Sequence, residues 1–161
     1  MLRGLMRVLI SRHAIGILAL IIVVPLVLAI RENWEQLFVR YDLHEPMDIV
    51  TGIGIILIAL GVVLEERKAL REIFDLVDGP DEAWQQSIDH LCHHYGVGQL
   101  VLGLMAEICI EMIKIPNTII YTGDVDDYLV AVGCVFLAIA AVLLVRMAVV
   151  LIFLMGQHRS H

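Results

Sequence analysis

Residues 128–155 read Tyr-Leu-Val-Ala-Val-Gly-Cys-Val-Phe-Leu-Ala-Ile-Ala-Ala-Val-Leu-Leu-Val-Arg-Met-Ala-Val-Val-Leu-Ile-Phe-Leu-Met. Arg146 is the only charge in the run. A hydrocarbon core about 30 Å thick takes roughly 20 helical residues to cross. The run does not alternate between apolar and polar residues, so it is not a barrel strand. A backbone in lipid must satisfy its hydrogen bonds within its own segment, which leaves the helix.

The rest of the chain repeats this pattern. Spans are expected at about 14–31, 47–65, 95–115 and 128–155. The whole chain is then one all-α integral membrane bundle of four transmembrane helices. Composition agrees: of 161 residues, 60% are hydrophobic and 18% charged, and mean hydropathy is +0.86. Average soluble domains are about 45–50% apolar. The first span has a basic start (Arg3, Arg7) and a passable signal-peptidase site at Val27-Leu28-Ala29. Its length and the three later spans favour a retained helix. Pro25 marks an expected kink in it.

Basic residues set the orientation. Arg3, Arg7, Arg12, Arg67, Lys68, Arg71 and Arg159 fall on one side of a four-span layout, and only Arg31, Arg40 and Lys114 on the other. Both termini are therefore expected in the cytoplasm, most simply of a bacterial inner membrane, with the acidic turn Asp124, Asp126 and Asp127 facing out. Net charge is −7 and there is no basic patch. Nucleic acid is accordingly not an expected partner. Cys92, Cys109 and Cys134 form no CxxC and read as packed thiols.

Two connecting segments have helical periodicity. Trp34, Leu37, Phe38 and Tyr41 predict an interfacial helix over 32–43. Leu70, Ile73, Phe74 and Val77, then the breaker Asp78-Gly79-Pro80-Asp81, then Trp84, Ile88 and Leu91, predict a cytoplasmic helical hairpin over 66–94. A turn near Gly79-Pro80 puts Glu66 level with His93 and Glu65 level with His94.

Glu65, Glu66, Asp89, His90 and His93 thus form the densest group of candidate metal ligands. Carboxylate and imidazole on facing helices suit Zn or non-haem Fe. Haem is a lesser variant, held at the membrane surface by His13 with His93 or His94. The same histidines also read as solvated side chains at a helix end. No Glu-x-x-His pair, Walker A, GxGxxG or GxSxG motif is present.

Span three carries a polar stripe. Asp89, His93, Gly96, Leu100, Gly103, Glu107 and Glu111 lie within about 40° of one line on a helix. The opposite face (Leu91, Leu102, Met105, Cys109, Ile113) is expected to meet lipid. By depth, Glu107 is expected to pair with Arg146. The stripe could then serve as a proton or cation path that includes Glu111, or the ion pair could simply fix helix register. Glu111 also reads as snorkelling near Lys114.

Residues 47–155 resemble the phosphate-starvation-inducible PsiE family of small four-span membrane proteins. The likeness rests on layout: the His94-Tyr95 entry to span three, the polar turn ending Asp126-Asp127-Tyr128, and a long apolar fourth span. The chain departs from that layout in carrying Glu107 and Glu111 where the family would carry a basic residue, and in a longer hairpin. The resemblance implies no catalytic residues.

Three functions are consistent with these residues. The leading one is a non-enzymatic scaffold, regulator or accessory subunit, in which the lipid bilayer and either a second copy or a larger membrane complex are the partners. The others are a metal- or haem-bearing redox or catalytic subunit, and a proton- or cation-conducting oligomer.

Overall fold

The computed structural model describes residues 11–35, 44–74, 82–117 and 123–154. It is an all-α bundle, and no strand occurs among the described residues. The helices are α1 (Arg12–Glu35), α2 (His44–Glu65), α3 (Arg67–Ile73), α4 (Glu82–Asn117) and α5 (Gly123–Val149), which ends in a π-helical turn (Val150–Leu154). Four helices are long and apolar enough to cross a membrane: His13–Glu35, Met47–Glu65, Ala83–Ile115 and Tyr128–Phe153.

α1 continues through Trp34 to Glu35, so the start of the expected interfacial helix extends the first span. The remainder of that segment and the breaker at 78–81 lie outside the described residues.

In lipid there is no hydrophobic force between helices, so close packing and interhelical polar contacts hold a bundle together. α2 packs most extensively on α4, α4 on α5, and α1 on α5, whereas α1 and α2 meet little. The α2–α4 seam is built from glycine. A Cβ added at Gly61 would lie 2.7 Å from the Leu100 nitrogen, and one at Gly103 would lie 2.8 Å from the Gly54 carbonyl oxygen. These contacts set the antiparallel register that a turn near Gly79-Pro80 implies.

The stripe on α4 therefore faces α2 of the same chain. The expected lipid face is partly a second protein face. Cys109 and Ile113 are buried, and a Cβ at Gly133 of α5 would meet Ala106 and Cys109 at 3.8–3.9 Å. Of that face Met105 is exposed as expected, and it is joined by Val97, Val101, Leu104, Ile108 and Met112. An inner helix with two neighbours buries two faces, which a single polar direction does not reveal.

At about 1.5 Å per residue, 36-residue α4 is about 54 Å long, well beyond a core of about 30 Å. One end must project. α3 lies at that end and continues α2 past a break at Glu66, where φ is −84° and ψ 8°. Backbone bonds bridge the break: Glu66 N–H donates to Val62 C=O (3.0 Å), and Leu70 N–H to Glu66 C=O (2.9 Å).

Candidate functional site

The strongest polar feature lies where α3 meets the projecting part of α4. Arg67 and Arg71 stand one turn apart, on the same face of α3. Both reach Asp89 on α4, and all three are buried, at 3%, 5% and 7% exposure. Asp89 splits its carboxylate. Oδ1 accepts from Arg67 Nη1 and Oδ2 from Arg71 Nη1. Arg67 Nη2 also donates to Gln85 Oε1 at 3.0 Å. Burial lowers the Arg67 pKa from the usual guanidinium range, and the Asp89 charge opposes that shift. Buried charges survive only when paired in good geometry, so this triad fastens α3 to α4.

The triad changes the reading of the expected metal set. Asp89 is committed to two arginines. Glu66, His90 and His93 are exposed and Glu65 is half-buried. His90 stacks on His94, ring centroids 4.8 Å apart, one turn along the same helix. Among the described residues, no three His, Cys, Asp or Glu side chains converge to hold a metal ion. Glu65, Glu66, Asp89, His90 and His93 share a level without sharing a centre. Nor does the haem variant gain an inward-facing pair, because His13, His93 and His94 are all exposed.

The expected Glu107–Arg146 pair does not form. Gln99 Nε2 donates to the Ala140 carbonyl at 3.1 Å, and Gly98 lies against Leu143. Arg146 is therefore level with Tyr95, roughly 18 Å along the axis from Glu107 at about 1.5 Å per residue. Depth counted from the inner ends of the two spans misjudged this offset, because α4 begins at Glu82 and the end of α5 lies beside the part of α4 that precedes Tyr95. Arg146 is exposed. Glu107 is half-buried and turns toward α2, where a Cβ at Gly54 would lie 3.1 Å from its Oε2. That oxygen is shut off from the surface and has no hydrogen-bond partner.

Other polar groups also act between helices. Lys114 Nζ lies 3.5 Å from Asp48 Oδ1 and 3.4 Å from Thr51 Oγ1 on α2. Glu111, one turn from Glu107, is half-buried. Asn33 of α1 is buried and donates to Cys134 Sγ of α5 at 3.7 Å. Asp126 is 4% exposed in the first turn of α5, where a helix N-terminus favours negative charge. The sequence reading missed the Arg67–Asp89–Arg71 triad. The signal was present: two arginines at i, i+4 in a hairpin opposite an aspartate on the facing helix.

Comparisons of the chain with protein-family models, with curated proteins and with solved structures found no match.

Proposed function

We propose that the chain is a non-enzymatic integral membrane protein: a scaffold, regulator or accessory subunit of a membrane complex. In this proposal it lies in a bacterial inner membrane with both termini cytoplasmic, as the placement of its basic residues favours. One observation carries the reading. The buried triad of Arg67, Asp89 and Arg71 fixes a short charged helix against the end of α4 that runs past the length a hydrocarbon core needs. Such a platform presents Lys68, Glu72 and His90 to a neighbouring chain. The layout resemblance to the PsiE family belongs to this proposal and brings no active site with it.

The test is isolation from the native membrane in lipid nanodiscs, with chain stoichiometry read by mass. The reading expects the protein at a fixed ratio to a second chain or to further copies of itself. A lone chain at every step would overturn it.

A second reading has its own support. Glu107 places a carboxylate oxygen with no hydrogen-bond partner against the α2–α4 seam. An ionisable group at membrane depth is costly and is a functional hypothesis by default. In this reading Glu107 binds a proton or cation in transit. A proton leak in reconstituted vesicles that Glu107→Gln abolishes would support it, and a leak unchanged by the substitution would end it.

A further inference from the structure

α1 leans on α5 and α2 leans on α4, which leaves a cleft between α1 and α2 at the end of the bundle away from α3. It forms an open groove of about 640 Å³, a size in the range of small-ligand sites. Its long walls are apolar, with Leu28 on α1 and Ile49, Ile53 and Ile56 on α2. Its rim is charged, with Arg31, Glu32 and Glu35 ending α1 and Asp48 near the start of α2. Gly52 lines the cleft, and a Cβ added there would meet nothing within 4 Å.

This polarity gradient matches an amphiphile standing in one leaflet: hydrocarbon beside the isoleucines, head beside the charges. The rim also discriminates between heads, since it carries three carboxylates and one guanidinium. Arg31 Nε is shared with Glu35 at 3.3 Å, with side chains 76% and 55% exposed. Asp48 is 82% exposed beside Lys114. Exposed ion pairs of this kind hold weakly against solvent, so a headgroup can exchange into them. A guanidinium has donors to spare for a phosphate, and the carboxylates suit an ammonium that donates hydrogen bonds.

We propose that the α1–α2 groove binds a phospholipid with a primary-ammonium headgroup, its phosphate at Arg31, its ammonium among Glu32, Glu35 and Asp48, and an acyl chain along Ile49, Ile53 and Ile56. Phosphatidylcholine offers no N–H to the carboxylates, and phosphatidylglycerol offers no cation.

The experiment reconstitutes the full chain in vesicles of equal parts phosphatidylethanolamine, phosphatidylcholine and phosphatidylglycerol, and reads lipids retained on the released protein by native mass spectrometry. Phosphatidylethanolamine is expected to be enriched several-fold over both others. The triple variant Glu32→Gln, Glu35→Gln, Asp48→Asn should bring retention back to the vesicle ratio. Gly52→Trp, which fills the groove, should remove the retained lipid, while Gly52→Ala keeps it and controls for folding. Retention that mirrors the vesicle composition in the unmodified protein would overturn the proposal. So would enrichment of phosphatidylglycerol, or undiminished retention in a folded Gly52→Trp protein.

Discussion

Gly61 and Gly96 lie backbone against backbone: a Cβ on either would come within 2.8 Å of the other's carbonyl oxygen. The seam between α2 and α4 therefore has no room for a methyl group at its tightest point. In a bilayer, where apolar surface alone does not draw helices together, such close approach provides the attraction.

Gly61→Ala or Gly96→Ala should destabilise the bundle by about 1–3 kcal/mol, the usual cost of overpacking, since the obstructing atoms are backbone. Gly52→Ala supplies the contrast. Its Cβ enters open space, and alanine gains about 0.5–1 kcal/mol over glycine inside a helix. Thermal unfolding followed by circular dichroism should lower Tm for the first two variants and hold or raise it for the third. Equal behaviour of Gly61→Ala and Gly52→Ala would mean that the seam is not tight.

Asp89→Asn should cost about 3–5 kcal/mol, as breaking a buried ion pair does when charge is left behind. The neutral amide leaves two guanidiniums close together in a buried site. Loss should begin at the α3 end, so limited proteolysis within 67–73 should speed up before the apolar spans unfold. A protease pattern unchanged by the substitution would mean that the triad does not hold α3.

Glu107 and Arg146 should behave as independent sites. In a cycle of Glu107→Gln, Arg146→Gln and the double variant, stability changes should add within about 0.3–0.5 kcal/mol, as for groups well separated in space. A coupling above about 1 kcal/mol would place the two side chains in contact and contradict the helix register described here.

His93→Asn should alter stability by no more than about 0.5 kcal/mol, the ordinary range for an exposed substitution. The His93 ring is exposed and lies edge-on to His94. Its zinc affinity, titrated on the purified protein, should match that of the unmodified chain. A stoichiometric zinc site lost in His93→Asn would restore the histidine and carboxylate cluster as a metal centre.

The spans were legible in the sequence because membrane length and backbone hydrogen bonding leave a long apolar run few options. Tyr128 to Phe153 needs no partner information to be read as a helix. The α2–α4 register was also legible, because Gly79-Pro80 marks where a hairpin must turn. What escaped depended on a third helix. Cys109 and Ile113 lie opposite the polar stripe of α4, yet both are buried, and α5 packs on Cys109 at Gly133. Arg146 was placed by counting from the inner end of its span, whereas its level is set by Gln99 meeting Ala140. Asp89 was read with the nearby histidines because they share its helix, while its partners come from α3. Proximity along one helix is visible in a sequence, but the capture of one carboxylate by a neighbouring helix is not.

The most direct test of the platform reading is photo-crosslinking in the native membrane from residue 68 or 72, both exposed on α3. The account predicts a discrete protein adduct, either to another chain or to a second copy, that disappears in Asp89→Asn while the spans stay folded. Adducts to lipid alone, or a protein adduct of the same yield with Asp89→Asn, would contradict it.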